Sequence, residues 1–102
     1  MDFKIVWTDP AVADLKTIAL RISRDNPVAA EKFGEELFRK TDLLQTFPEM
    51  GVIFPKRKGG KIRSLIHGNY CVFYRVQNQS KIVEILRIWH GARSESNLNL
   101  FV

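Results

Sequence analysis

The chain has 102 residues, of which 45% are hydrophobic and 26% are charged. This length and composition predict one globular domain over residues 1–102 and exclude collagen-like, low-complexity and disordered chains. No apolar run approaches the roughly 18 residues of a membrane span, so we expect no membrane segment. The opening residues MDFKIVWTDP lack the pattern of a signal peptide, and we therefore expect a cytoplasmic protein.

Two further features of the composition restrict the chemistry. The single cysteine, Cys71, excludes an internal disulfide bond, and one cysteine with two histidines provides no zinc-ligand spacing. We therefore expect neither a metal ion nor another cofactor. The formal net charge of +5 favours nucleic acid, the ribosome or an acidic protein as the partner.

The first half of the chain predicts a strand and two helices. The residues FKIVW (3–7) are typical of a strand. The sequence TDP then predicts a helix with Asp9 as its N-cap and Pro10 at its first position, and DNP predicts a second helix with Asn26 as the cap. The helices should end near residues 23–25 and at FPEMG (47–51), and their short joint predicts an antiparallel hairpin. Residues for a buried stripe recur at helical spacing in both segments: Ala11, Leu15, Ile18, Ala19 and Ile22, then Ala30, Phe33, Leu37, Thr41 and Leu44.

The second half predicts a meander of three strands. Gly68-Asn69 is typical of a two-residue hairpin turn, and residues 77–80 of a longer polar turn. Both faces of the last two strands are largely apolar, so both should be covered. The fold class is therefore α+β in the order β-α-α-β-β-β, with a helical hairpin packed on a small, mainly antiparallel sheet and a C-terminal tail over residues 93–102. In the last strand the expected alternation places Ile82, Glu84, Leu86, Ile88 and His90 on one face, and Val83, Ile85, Arg87 and Trp89 on the other.

Two stretches carry the candidate functional residues. The segment PKRKGGKIR (55–63) holds five positive charges and no acid, so it predicts either a binding surface or a solvated loop. In RIWHGAR (87–93) a strand ends on His90, Gly91 and Arg93. Three roles are open for His90 and Arg93: a reacting pair, a docking pair, or a structural strand end in which Arg93 binds a carboxylate such as Asp14 or Glu84. We expect Gly91 to adopt a positive φ and His67 to lie at the surface beside the turn.

The order and spacing of three stretches resemble a known family. DNPVAAEKF opens the second helix, FPEMG closes it, and YCVFYRV with VEILRIWHGAR forms the last two strands. Over roughly residues 3–93 the chain resembles the RelE/ParE superfamily of toxins of type II toxin–antitoxin modules, often described as plasmid stabilisation proteins. The resemblance implies the same β-α-α-β-β-β fold. It also implies a small cognate antitoxin with an acidic segment, in a hetero-oligomer with the toxin, and it leaves a toxin homodimer open.

The two branches of the superfamily imply different targets. RelE-like toxins cut mRNA on the ribosome without a metal, whereas ParE-like toxins inhibit DNA gyrase and are not known as nucleases. The start of the second helix is more similar to the ParE branch. RelE-like nucleases carry an arginine directly after the tyrosine that opens the third strand, but here Tyr70 is followed by Cys71, which offers no fixed charge. The resemblance therefore implies a toxin that inhibits gyrase by binding to it, and it favours binding over catalysis.

Two alternatives remain open. One is a RelE-like, ribosome-dependent and metal-free mRNA endonuclease, in which basic residues stabilise the phosphate and a histidine exchanges a proton. The resemblance gives its candidate residues as Lys61, Arg63, His90 and Arg93. The other alternative is a non-toxic basic binding module of the same fold. The candidates for docking to a target or an antitoxin are Lys56, Arg57, Lys58, Lys61, Arg63, Arg87, His90 and Arg93.

Overall fold

The computed structural model describes residues 2–54 and 62–91 of the chain. The described helices and strands form one sheet covered by a helical hairpin, with strand order β1-β5-β4-β3-β2. Strand β1 is parallel to β5, and the other neighbours are antiparallel, which confirms the predicted α+β class. Neither described helix is long and apolar enough to cross a membrane. The elements are β1 (Lys4–Trp7), α1 (Asp9–Asp25), α2 (Pro27–Asp42), a 3₁₀ turn (Leu43–Gln45), β2 (Val52–Ile53), β3 (Ile62–His67), β4 (Tyr70–Gln77) and β5 (Ile82–His90).

The short strand β2 is absent from the predicted elements. It has two residues, both exposed, and pairs Val52 with Ser64 and Ile53 with Arg63. Two residues are too few to show an alternating pattern, and neither side chain is buried. Only the pairing with β3 defines this strand.

Helix α1 begins one residue earlier than predicted, because Thr8 and not Asp9 is its N-cap. Thr8 has an extended backbone, with φ −71° and ψ 160°, and its Oγ1 accepts a hydrogen bond from the Ala11 amide at 3.4 Å. Asp9 therefore stands in the first turn, where its negative charge favours the helix N-terminus. Asn26 caps α2 as predicted, and its Oδ1 accepts from the Ala29 amide at 3.1 Å.

Apolar side chains are buried on both faces of the sheet, as the two-sided apolar pattern predicts. The smaller group lies on the face away from the helices, and Cys71 packs against it as a small apolar residue. The helix-facing group contains Ala11, Ile18, Leu37, Leu44, Val72, Tyr74, Val76, Val83, Ile85 and Ile88. The opposite group contains Phe54, Ile62, Phe73, Leu86 and Trp89.

The predicted alternation along β5 is wrong at Leu86. Tyr74 pairs with Ile85 and Phe73 pairs with Arg87, so Leu86 is an extra residue and forms a β-bulge. Before the bulge, Ile85 faces the helices, and after it Ile88 does, three residues later. Because a one-residue insertion moves the following side chains to the other face, the bulge reverses the expected sides of Ile88 and His90 relative to Ile82 and Glu84.

Candidate functional site

Strand β5 extends beyond its neighbour β1 at the end that carries the predicted functional stretch. The last pair of these strands is Trp7 with Ile85, whereas β5 continues to His90. The Thr8 hydroxyl contacts β5 where β1 ends, 2.8 Å from the Ile85 carbonyl oxygen and 3.2 Å from the Leu86 carbonyl oxygen. Helix α1 therefore starts where strand pairing stops, and its first turns lie beside the end of β5.

One turn farther along α1, the Asp14 carboxylate binds the same strand. Its Oδ2 accepts from the Ile88 amide at 3.0 Å and from Arg87 Nε at 2.7 Å, and its Oδ1 accepts from Arg87 Nη2 at 3.0 Å. The side chains of Asp14 and Arg87 are only 16% and 20% exposed. Hydrogen bonding to this carboxylate raises the pKa of the Arg87 guanidinium. The result is a bidentate, charge-assisted pair with a third bond to the strand backbone.

These contacts bear on three residues named from the sequence. Arg87, a predicted docking residue, has a partner within its own chain. Asp14, considered above as a partner for Arg93, is bound by Arg87. The other carboxylate considered, Glu84, is bound by Arg75 Nη2 at 2.6 Å. Arg93 itself lies outside the described residues, and its role stays a prediction.

Asp14 was considered above only as a partner for Arg93, and its pairing with Arg87 was missed by the sequence analysis. A signal was present, because Asp14 follows Ala11 by three residues and precedes Ile18 by four, which places its carboxylate on the apolar stripe of α1. A charged residue on a buried face needs a partner. The sequence alone does not identify that partner, because Arg87 is 73 residues away.

His90 stands at the rim of the sheet beside Tyr70. The two residues are paired across β4 and β5, and their rings meet edge to face with centroids 5.1 Å apart. Two clefts share these rings as a wall. A cleft of about 220 Å³ on the helix side is also lined by Asp14, Thr17, Arg21 and Ile88. A second cleft of about 330 Å³ is also lined by Ile66, Asn69, Cys71 and Gly91.

The expected positive φ at Gly91 is wrong. Among the described glycines it occurs at Gly68, with φ 60°, in the hairpin turn. The amide of Gly91 donates to the Asn69 carbonyl oxygen at 2.8 Å, and a Cβ at position 91 would lie 3.3 Å from that oxygen. The close approach of two backbone segments, and not a left-handed backbone, is what favours glycine here.

Arg63, a candidate in both functional models, is bound to the segment after α2. Its Nη1 donates to the Gly51 carbonyl oxygen at 2.9 Å and to the Glu49 carbonyl oxygen at 3.2 Å, and its Nη2 lies 3.4 Å from Glu49 Oε2. The Tyr74 hydroxyl holds the same segment, since it accepts from the Gly51 amide at 2.9 Å and donates to the Pro48 carbonyl oxygen at 2.8 Å. The FPEMG stretch therefore docks on the sheet. It does not end the second helix as predicted, because α2 ends at Asp42 and a 3₁₀ turn (Leu43–Gln45) precedes the stretch.

The structure separates Arg63 from His90. Arg63 pairs with Tyr74 and His90 pairs with Tyr70, four residues away on β4, and β3 and β5 are two strands apart. With about 3.3 Å per residue and about 4.8 Å between strands, their Cα atoms are roughly 16 Å apart. The remaining candidates lie outside the described residues: Lys56, Arg57, Lys58, Lys61 and Arg93.

Within residues 2–54 and 62–91, no group of three His, Cys, Asp or Glu side chains could hold a metal ion. His67 and His90 pair with Tyr70 from opposite sides across the sheet. The tyrosine therefore lies between the two imidazoles, and they do not converge on a common point.

The expectation that His67 lies at the surface is wrong. Its side chain packs against Phe33 on α2, with ring centroids 5.0 Å apart, and the residue is only 7% exposed. Burial lowers the pKa of the imidazole, and the positive charge of Lys40 lowers it further, against a hydrogen bond to the Phe33 backbone and the charge of Glu36. A hairpin position suggests exposure, but only the packing of α2 on the sheet decides it.

The lowered pKa of His67 predicts a pH dependence of stability. The folded-state pKa lies below the ordinary value of 6.5, so the unfolded chain binds more protons in that range. The contribution to stability is fully present above pH 6.5 and is lost as the pH falls through the folded-state pKa. We expect urea unfolding between pH 7.5 and 5 to show a steeper loss for the wild type than for His67→Gln. Equal slopes in the two proteins would contradict this assignment.

Known proteins share this fold over almost the whole chain. A family model described as "ParE toxin of type II toxin-antitoxin system, parDE" matches residues 5–95. Toxin RelE2 of Caulobacter vibrioides is 33% identical over 91 residues, which are 88% of this chain and 97% of that protein. The solved chromosomal ParDE system from P. aeruginosa has 25% identity and a TM-score of 0.70, covering 86% of this chain and 95% of that chain. The archaeal RelE–RelB complex from Pyrococcus horikoshii has 19% identity and a TM-score of 0.64, covering 92% of this chain and 100% of that chain.

The family match and the relative at 33% identity show a small α+β toxin of the RelE/ParE superfamily, and the helical hairpin on the sheet agrees with the fold of the similar structures. This confirms the resemblance inferred from the three sequence stretches. Within that superfamily, the chain belongs to the ParE toxin family of type II toxin–antitoxin systems.

Proposed function

We propose that this chain is a growth-inhibiting cytoplasmic toxin that binds and inhibits DNA gyrase without cleaving nucleic acid, and that a cognate antitoxin with an acidic segment neutralises it. The observation that carries the proposal is that Arg63, a candidate of the nuclease set, and Arg87, a docking candidate, are both engaged within the chain. Arg63 and Arg87 both donate to acceptors of their own chain, and position 71 holds a cysteine.

Metal-free RNA cleavage needs fixed positive charge at the phosphate in addition to an acid and a base. The Cα atom of Arg63 lies roughly 16 Å from that of His90 by strand geometry, and its guanidinium is bound to the carbonyl oxygens of Glu49 and Gly51. Arg87 is nearer, but moving its guanidinium to a phosphate would leave the Asp14 carboxylate without its partner, at a cost of about 3 kcal/mol. Docking to a protein has no such requirement, because it needs only a stable surface around His90.

The proposed antitoxin partner is supported by the net charge of this chain and by the similar structures. The chain has a net charge of +5. The similar structure from P. aeruginosa is named as a ParDE toxin–antitoxin system, and the one from P. horikoshii is named as a RelE–RelB complex. An acidic segment that orders on binding suits a basic toxin, because charge complementarity speeds association.

An mRNA endonuclease is the second candidate, and His90 favours it. The imidazole lines two clefts beside the Tyr70 ring, and histidine exchanges protons near neutral pH. The relative at 33% identity is named Toxin RelE2. In this reading the missing positive charge must come from Lys61 and Arg93.

The two candidate targets can be compared in the same cells. The chain is induced without its antitoxin, and thymidine and methionine incorporation are followed separately. Purified protein is then added to a gyrase supercoiling assay and to programmed ribosomes. We expect thymidine incorporation to fall first, supercoiling to be inhibited, and the mRNA to stay intact.

Two variants sharpen this comparison. His90→Ala should weaken gyrase inhibition about tenfold, the equivalent of about 1.4 kcal/mol of binding free energy. The control is Asn78→Ala, an exposed change in the turn at the opposite end of β5, which should leave inhibition unchanged. An early fall in methionine incorporation, with mRNA cleavage that His90→Ala abolishes, would establish the endonuclease instead. If neither label falls, the chain is a non-toxic binding module and the proposal is wrong.

A further inference from the structure

The smaller cleft beside His90, which we call the α1 cleft, is lined by one acid, Asp14, and one arginine, Arg21. The acid is already paired elsewhere, so the positive charge of the arginine is left in excess. Asp14, Thr17 and Arg21 line it from α1, and Tyr70, Ile88 and His90 line it from the sheet. The Asp14 carboxylate accepts hydrogen bonds from Arg87 and from the Ile88 amide, so its negative charge is compensated within the protein. No second carboxylate of the described residues lines this cleft.

Arg21 supplies the uncompensated charge. Its side chain is exposed, and it forms no ion pair or hydrogen bond within residues 2–54 and 62–91. Thr17 lies one turn earlier on the same helix, and Tyr70 lies across the cleft. Neither hydroxyl is engaged by a described residue. One guanidinium and two hydroxyl groups around a small concavity form a donor set for an anionic oxygen group.

The size of the cleft restricts the ligand. Pockets for nucleotides and other small molecules typically measure about 300–1,000 Å³, whereas this one measures about 220 Å³, which is below that range and is enough for one side chain. The edge-to-face rings of Tyr70 and His90 offer an apolar flank to the methylene groups of such a side chain. The net charge of +5 favours an acidic protein segment as its source.

We propose that the α1 cleft binds an aspartate or glutamate side chain of the antitoxin, with Arg21 as its ion-pair partner and the hydroxyls of Thr17 and Tyr70 as further donors. This inference rests on the antitoxin of the proposed function and is independent of gyrase as the target. Recognition then uses one face of α1 and the end of the sheet at Tyr70 and His90. The Asp14–Arg87 pair supports the site, because it holds α1 against β5.

The test compares two arginines of one helix. Arg21→Gln removes the charge in the cleft, and Arg24→Gln removes an exposed charge in the last turn of α1, outside the cleft. Affinity is measured for the cognate antitoxin, at low and at moderate salt. We expect Arg21→Gln to raise Kd about tenfold at low salt, with a smaller ratio at higher salt, and Arg24→Gln to change it less than about twofold. Equal effects of the two substitutions would overturn the proposal.

A coupling experiment identifies the carboxylate. Each Asp and Glu of the antitoxin is replaced singly by its amide and measured against wild-type and Arg21→Gln toxin. One amide substitution should weaken binding to the wild type about tenfold and have almost no further effect on Arg21→Gln, as a directly interacting pair requires. If every amide substitution weakens both proteins equally, no carboxylate of the antitoxin occupies the cleft. Thermal unfolding should be unchanged by Arg21→Gln, since the side chain is exposed.

Two small probes separate carboxylate from phosphate recognition without the antitoxin. A hexaglutamate peptide and inorganic phosphate are titrated separately while the ring resonances of Tyr70 and His90 are followed by NMR. The peptide should shift these resonances in the wild type and in Arg24→Gln but not in Arg21→Gln. Shifts produced by phosphate at lower concentrations than by the peptide would overturn the proposal in favour of a nucleic-acid ligand. Absence of gyrase inhibition in the supercoiling assay would leave these binding results unaffected, so the two proposals fail separately.

Discussion

Replacing Asp14 by Ala is expected to lower the free energy of unfolding by about 3 kcal/mol. The carboxylate accepts two hydrogen bonds from Arg87 and one from the Ile88 amide. Because the pair is mostly buried, water cannot fully replace these hydrogen bonds when the carboxylate is removed. Without it, a largely buried guanidinium and a strand amide lose their acceptor together. Urea unfolding followed by tryptophan fluorescence and circular dichroism measures the change.

The control for this prediction is Asp25→Asn, an exposed acid in the last turn of the same helix, which should alter stability by less than about 0.5 kcal/mol. Asp14→Asn should have an intermediate effect, because its amide keeps one oxygen acceptor. Combining Asp14→Ala with Arg87→Met should cost less than the sum of the two single changes, since the double variant leaves no buried charge unpaired. Additive effects would show that the two residues do not stabilise the fold as a pair.

Tyr74→Phe is expected to cost about 2–3 kcal/mol, the second large effect of a single group. The residue is fully buried, and its hydroxyl both accepts from the Gly51 amide at 2.9 Å and donates to the Pro48 carbonyl oxygen at 2.8 Å. Burial raises the pKa of this hydroxyl, so it remains a donor. Phenylalanine fills the same space but leaves two backbone groups without their partner. Equilibrium unfolding in urea is again the measurement.

Tyr70→Phe is the matched control, because Tyr70 is only partly buried and its hydroxyl has no hydrogen bond to a described residue. Loss of that hydroxyl should change stability by less than about 0.5 kcal/mol. Gly51→Ala tests the same contact from the other side. An added Cβ would lie 2.6 Å from the Tyr74 hydroxyl and 2.8 Å from the Ser64 carbonyl oxygen. Tyr74→Phe should therefore not rescue Gly51→Ala, since the backbone clash remains. A Tyr74→Phe protein as stable as the wild type would show that the segment 48–51 is held by other contacts.

The structural contacts of Arg63 and Arg87 affect how a loss of toxicity should be interpreted. Arg63 and Arg87 are docking candidates, but each also holds a segment of the fold. An alanine substitution at either position can abolish growth inhibition by lowering stability alone. Only a variant that keeps its unfolding free energy and loses target binding identifies a docking residue. His90 and Arg21 are better suited to that test, because both line clefts at the rim of the sheet.

Several features of the molecule could be predicted from local sequence. Apolar residues at helical spacing define α1 and α2, and the Asn26 cap and the Gly68-Asn69 turn depend on residues within one turn of the chain. Such features need only short-range geometry, and the family motifs add the correct superfamily.

Other features were decided by contacts between distant segments. The bulge at Leu86 inserts one residue into a pattern that still alternates in the sequence, and β2 exists only because Val52 and Ile53 pair with β3. His67 is buried because α2 crosses above it, not because of its neighbours in the chain.

The sequence by itself determined the class of this protein, its two helices, its strands other than β2, and a first set of candidates for binding. Only the tertiary structure decided which of those residues are engaged. Asp14 meets Arg87 across 73 positions and Arg63 meets Glu49 from a neighbouring segment, which leaves Arg21 as an uncompensated charge of the α1 cleft. The physical reason is that a charge pair depends on distances of a few ångströms in space, which residue spacing along the chain does not specify.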